Sequence, residues 1–218
     1  MIDLHTHSYP QSDDSFMSVD ELIEGSKSLG LDGICLTDHD IFWTADQAQD
    51  LSQKHDFLVI PGCEINTESG HVLVFGLTEY EFGMHKPEFL QASVARAGGV
   101  LIAAHPYRRR FIEEPAKRPG IRDEMLERAG DDKFFGICQG VEALNGRGTT
   151  VQNQFSLDLG KKLNANMTAG SDAHKVEQLG TVATEFQRPV SCLSDLINEL
   201  QNGRYSPVDL REKATPRI

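Results

Sequence analysis

Short apolar runs that each lead into or out of a histidine, aspartate or glutamate recur along nearly the whole chain, and this recurrence constrains the fold more than any other feature. Met1 and Ile2 lead into Asp3-Leu-His5-Thr-His7. Gly33-Ile-Cys-Leu-Thr37 is followed at once by Asp38-His39-Asp40, and Phe57-Leu-Val-Ile60 by Pro61-Gly-Cys-Glu64. A hairpin-like turn at Glu68-Ser-Gly70 brings in His71 and Val72-Leu-Val-Phe75. Val100 to Ala104 ends in His105-Pro106, Gly140 to Leu144 ends at Asn145, and a run near Met167 leads to Gly170-Ser-Asp172-Ala-His174. Runs of this length between turn residues predict buried strands.

Helical patterns lie between them. Ser18-Val-Asp-Glu21 has the form of a capping box, opening an amphipathic helix that Gly30 closes. Further helices are predicted around Trp43 to His55, between Pro87 and Gly98-Gly99, near Arg122 to Arg128, around Val151 to Leu163, and from Leu193 to Leu200. A last strand is expected near Val182, and a polar tail after Gly203. Residues 107–135, charged in both signs, read as a long excursion from the fold.

Alternating strands and helices imply an α/β fold with a mainly parallel sheet, and ligand types repeated after strands imply that the strand ends share one face. A barrel gathers chemistry in this way. An open doubly wound sheet instead favours a glycine-rich phosphate turn, and none follows the first strand. The 218 residues suit a single domain over 1–218, with enough length to bury a core.

A formal net charge of −12 argues against long duplex nucleic acid as a partner, since that needs a basic face, but leaves short oligonucleotides open. No apolar run is long enough for a membrane span. Asp3, His5 and His7 occupy the place where a signal peptide would turn apolar, so a cytoplasmic location is expected. The four cysteines form no Cys-x-x-Cys pair and read as buried free thiols.

Alternate residues of an extended chain point the same way, so His5 and His7 can face one metal ion with Leu4 packed behind. Each motif has an ordinary reading too. His39 between two aspartates suits a surface turn, Glu64 a buried acid paired with arginine, His105 a strand end, and Asp172 a helix N-cap. His55 and His85 lie in polar segments and read as solvated.

Taken in order, Asp3-Leu-His-Thr-His7, Thr37-Asp-His39, Gly62-Cys-Glu64, Gly70-His71, Ala104-His105-Pro106 and Gly170-Ser-Asp-Ala-His174 resemble the motifs of the polymerase and histidinol phosphatase (PHP) family over nearly the whole chain. The resemblance implies a distorted (β/α)7 barrel and metal-dependent hydrolysis of phosphoesters. Carried over, it puts His5, His7, Glu64 and Asp172 around one ion. His39, His174 and a first-loop acid, Asp14 or alternatively Asp13, would hold a second, and Glu64, His71 and His105 a third. Such ligands suit Zn²⁺, Mn²⁺ or Fe²⁺. Ions about 3.5–4 Å apart would make the attacking group a metal-bridging hydroxide, so no side-chain nucleophile is required.

Arg108-Arg109-Arg110 follows His105-Pro106-Tyr107, and Arg108 is the candidate for contacting a substrate phosphate, because guanidinium matches phosphate oxygens bidentately. The alternative is pairing of these arginines with Glu113 or Glu114. Asn145 and Arg147 are further candidates for the mouth. Three functions remain open from the sequence: hydrolysis of small phosphomonoesters, phosphodiester or exonuclease action on short oligonucleotides, and a non-catalytic metal-binding role. The last would normally be marked by a lost ligand, and none is missing.

Overall fold

The computed structural model describes residues 1–112 and 120–211 and is α/β. In chain order the elements are β1 (Ile2–Thr6), α1 (Val19–Ser28), β2 (Gly33–Leu36), α2 (Ala45–His55), β3 (Leu58–Pro61), β4 (Cys63–Thr67), β5 (Gly70–Phe75) and α3 (Pro87–Arg96). Then come β6 (Val100–Ala103), α4 (Ile121–Gly130), β7 (Gly140–Asn145), α5 (Thr150–Lys162), β8 (Asn166–Gly170), β9 (Val182–Phe186), α6 (Leu193–Gln201) and β10 (Tyr205–Asp209).

Three helices, α1, α2 and α5, start where side chains satisfy the first free amides. Ser18 and Glu21 cap α1 reciprocally, with Ser18 N donating to Glu21 Oε2 at 2.8 Å; Thr44 and Gln47 do the same for α2, and Thr149 and Gln152 for α5. The strands form two five-stranded sheets, ordered β10-β9-β1-β2-β3 and β4-β5-β6-β7-β8. Pairings around β1-β2-β3 and β6-β7-β8 are parallel, whereas β4-β5, β5-β6, β1-β9 and β9-β10 are antiparallel. The expectation of a mainly parallel sheet is therefore corrected to two mixed ones. The expected polar tail is corrected too, because residues 205–209 pair along all of β9; residues 212–218 lie outside the described residues.

Between the sheets, Leu4, Cys35, Ile60, Leu73, Phe75 and Ile102 pack with Leu196 and Leu200 of α6. Other apolar layers bind α1 and α2 to one sheet and α3, α4 and α5 to the other. Hydrogen bonds join the sheets at two margins. Gly62 N donates to Leu36 O at 2.9 Å and Glu64 N to Thr37 O at 3.2 Å, while Asp172 N donates to His5 O at 2.7 Å and His7 N to Ala173 O at 3.1 Å. These bonds draw the ends of β1, β2, β4 and β8 together.

Two side-chain expectations change. His55 is 8% exposed, not solvated: its Nε2 lies 2.8 Å from Asp20 and its Nδ1 2.5 Å from Glu24, which clasps the end of α2 onto α1. All four cysteines are free, but Cys192 is exposed while Cys35 and Cys63 are buried. His85 stays half-exposed. No helix among the described residues is long and apolar enough to cross a membrane.

Gly170 marks the tightest contact between β8 and β1. A Cβ there would fall 2.3 Å from His5 Cβ and 2.8 Å from Glu142 Oε1. Gly170→Ala should therefore lower unfolding stability by about 1–3 kcal/mol through overpacking, read from urea denaturation curves.

Candidate metal centre

His5 lies in β1 and His7 just beyond it, and both are fully buried. Between them Thr6 turns the other way, its Oγ1 donating to Cys35 O at 2.7 Å. Asp14 comes from the loop after β1, His39 from the end of β2, Glu64 from β4, His71 from β5, His105 from the end of β6, and Asp172 and His174 from the loop after β8. The backbone turns sharply at two of these. His105 has φ 27° and Asp172 φ 54°, left-handed values that L side chains adopt at a cost and that recur at functional sites.

Glu64 is the hub. Its Oε2 lies 3.0 Å from His39 Nδ1 and 3.3 Å from Nε2 of both His5 and His7; its Oε1 lies 2.8 Å from His71 Nδ1 and 2.8 Å from His105 Nε2. Asp172 Oδ1 lies 3.4 Å from His7 Nε2, 3.6 Å from His174 Nδ1 and 3.7 Å from His5 Nε2. Asp14 Oδ2 is 3.0 Å from His174 Nε2 and 3.6 Å from His39 Nε2, so Asp14 is the first-loop acid that meets these imidazoles.

Four overlapping donor triads follow: His5-His7-Glu64, His5-His105-Asp172, His39-Glu64-His71 and His7-His39-His174, each with donor atoms within 4.8 Å of one another. His5 Nε2, His7 Nε2 and Glu64 Oε2 are buried and make no hydrogen bond. Buried polar atoms are nearly always paired, so orphaned lone pairs converging on one point fit divalent cations. The charge balance agrees. Burial pushes the Glu64 carboxyl up, but the charge on His5 and the hydrogen bond from His105 outweigh it and hold the group well below the usual carboxylate range. Burial likewise opposes ionisation of Asp172, yet His5, His7, His105 and Arg108 hold it low. Burial lowers His7 to about 4, leaving a neutral imidazole with a free lone pair. His5 runs the other way: Glu142, Glu64 and Asp172 overcome burial and raise it well above its ordinary value.

A second layer aims these groups. Glu142 Oε1 lies 2.9 Å from His5 Nδ1, while its Oε2 accepts from His105 N at 2.7 Å and Asn145 Nδ2 at 3.0 Å. Asp38 accepts from Ser8 N, Ser12 Oγ and Trp43 Nε1, and Ser12 Oγ in turn lies 3.2 Å from His7 Nδ1. Asp3 accepts from Ser171 N at 2.8 Å and His5 N at 3.2 Å; burial raises its carboxyl to about 6. Glu142 was not singled out in the sequence, because a lone acid inside an apolar run looks like a strand residue until its partners are known, and Asp3 was visible only as the first residue of the His5-His7 motif. Asp38 was visible only as the neighbour of His39.

Arg108 Nη2 donates to Asp172 Oδ2, and Arg147 Nη1 lies 3.1 Å from His174 Nδ1 and 3.6 Å from Asp172 Oδ1. Asn145 is buried and also donates to Asp172 Oδ2, at 3.2 Å. Arg109 turns to the carbonyls of Thr67 and Glu68. Arg110 pairs with Asp132 and lies over the rings of Phe134 and Phe135. Glu113 and Glu114, weighed as partners for this run, lie outside the described residues.

A site of histidines and carboxylates gathered at strand ends defines a candidate metal-binding centre, and family comparison makes the class specific. The PHP domain model matches residues 3–147, and a model described as PHP-associated matches 151–205. The chain belongs to the PHP domain family. PsfC from Pseudomonas syringae superposes with a TM-score of 0.64 at 20% identity, covering 97% of this chain and 91% of its own. A two-domain protein from Bacteroides vulgatus, containing a predicted PHP-like metal-dependent phosphoesterase, gives 0.63 at 20% over 96% of this chain and 64% of its own. A protein from Bifidobacterium adolescentis, proposed as a metal-dependent phosphoesterase, gives 0.60 at 18% over 96% and 97%. At such identities the likeness is one of fold. No curated protein matches.

Glu142→Gln keeps the shape at His5 but removes the charge. It should weaken Mn²⁺ binding by about 10–100-fold, measured by calorimetric titration of metal-free protein.

Proposed function

We propose that the chain hydrolyses small phosphomonoesters at a cluster of divalent cations held by His5, His7, Asp14, His39, Glu64, His71, His105, Asp172 and His174. In this reading the two sheets, bonded at both margins, make up a distorted (β/α)7 barrel with one mouth. The observation that carries it is the Glu64 carboxylate, ringed by nitrogens of His5, His7, His39, His71 and His105, with its Oε2 and the Nε2 atoms of His5 and His7 left without a hydrogen bond. Cations bound there, of the Zn²⁺, Mn²⁺ or Fe²⁺ type by donor chemistry, would supply an activated water and neutralise charge on the phosphoryl group.

The chain's own residues do the rest. Glu142, Ser12 and Asp38 fix the rings of His5 and His7, so the donors stay aimed without a substrate. Arg108 and Arg147 lean on Asp172 and keep 35% and 37% of their side chains exposed, which leaves each free to turn a guanidinium edge to a phosphate oxygen. Two such cations suit a terminal phosphate dianion better than the single charge of a diester, and this favours the monoester over the diester or exonuclease reading. Asn145, bonded to Glu142 and Asp172, holds the acids in place from beneath.

Protein loaded with Mn²⁺ and offered a matched aryl phosphomonoester and phosphodiester should turn over the monoester faster, and His39→Ala should abolish most of that rate. A faster diester reaction would replace this reading with the nuclease one, and no reaction above the mutant by fully loaded protein would leave a binding role. Arg147→Ala should raise the monoester KM by about 10-fold, in line with the loss of a charge-assisted hydrogen bond worth 1.5–3 kcal/mol, with a smaller change in kcat.

A further inference from the structure

Phe16 is 75% exposed although the segment that carries it is tightly held. Its backbone N–H donates to His174 O at 2.9 Å. The preceding Ser15 donates through Oγ to His7 O at 3.1 Å, and Tyr9 N donates to Met17 O at 2.8 Å, closing the loop at its base. Asp38 anchors the same loop from below through Ser8 and Ser12, and Met17, one residue on, is buried in the core. The ring thus stays largely exposed on a backbone whose position is fixed on both sides. Single exposed hydrophobics are ordinary on protein surfaces; this one differs in where it is fixed.

Phe16 stands two residues after Asp14, whose carboxylate meets His174 and His39, and two extended residues span at most about 7 Å. Lys175, next after His174, places its Nζ 5.1 Å from the centre of the Phe16 ring. The rim of the metal centre thus carries an exposed aromatic ring with an ammonium group over it, on the loop that also brings Asp14 to His39 and His174.

Building on the phosphomonoester reading, we infer that Phe16 is the stacking platform for a planar ring carried by the alcohol of the substrate, as in a nucleoside monophosphate. An aromatic side chain on a fixed backbone has only two side-chain torsions to order on stacking. The Lys175 ammonium favours an anionic ester arriving over the same rim. Phe16 would then set which alcohol is accepted, while the histidines and acids below act on the phosphoryl group common to all.

Adenosine 5′-monophosphate and ribose 5-phosphate carry the phosphoryl group on the same ribose 5-oxygen and differ at C1, which bears adenine in one and a hydroxyl in the other. In wild-type protein loaded with Mn²⁺, kcat/KM should favour the nucleotide, and Phe16→Ala should lower that preference by about 10-fold, within the range of base–aromatic stacking; Phe16→Trp should keep it. An unchanged preference in Phe16→Ala would overturn the inference. If wild-type protein hydrolysed neither ester, the phosphomonoester reading would fail separately, and binding would still decide the platform. The fluorescence of 2-aminopurine riboside 5′-monophosphate should be quenched by wild-type protein and less by Phe16→Ala at equal occupancy. Equal quenching by both would overturn it.

Discussion

A fully buried carboxylate, Glu64, is what the rest of the structure is arranged to accommodate. Removing a carboxylate from water costs several kcal/mol, and surrounding charges must recover that cost. Here the recovery comes from five imidazoles on four segments, so ends of β1, β2, β5 and β6 must all meet beside Glu64 of β4. The hydrogen bonds from Gly62 and Glu64 to the end of β2, and from Asp172 to β1, are the backbone's share of this convergence. Gly170 is required for the same reason, since any side chain there would push β8 away from His5.

Converging donors are useful only when aimed, and the second layer supplies the aim. Glu142 ties His5, His105 and Asn145 to one carboxyl group, and Asp38 ties the first loop to the end of β2. Partners of this kind fix imidazole tautomer and orientation. The same anchoring fixes Asp14, and with it the exposed Phe16, so the device that prepares the centre also holds its rim rigid. Stability and function are thus coupled through the first loop. The left-handed residues His105 and Asp172 show the coupling at the backbone, where sparsely populated conformations persist because hydrogen bonds on both sides hold them.

Much of this was legible in the sequence because buried parallel strands read as plain apolar runs and strand ends are short. β2 and β6 are four residues each, and His39 and His105 follow them closely. The capping box at Ser18 was legible for the same local reason. What was not legible depended on distant partners. The hairpin-like turn at Glu68-Ser-Gly70 was legible and joins β4 to β5, but the antiparallel pairing of β5 with β6 was not. β10 is a strand only because β9 lies beside it. His55 looked solvated because its acidic partners, Asp20 and Glu24, sit on a different helix. At the centre, the donors were visible as residue types after strands. Their grouping around Glu64, and the choice of Asp14 as the acid facing His39 and His174, needed three dimensions.

The central claim is that the orphaned donors around Glu64 exist to bind divalent cations. Anomalous diffraction from crystals grown with Mn²⁺, recorded on both sides of the manganese absorption edge, tests it most directly. The account predicts edge-dependent peaks within coordinating distance of Glu64, with His5 and His7 among their ligands. Well-ordered crystals showing those side chains and no such peak at saturating Mn²⁺, Zn²⁺ or Fe²⁺ would contradict it.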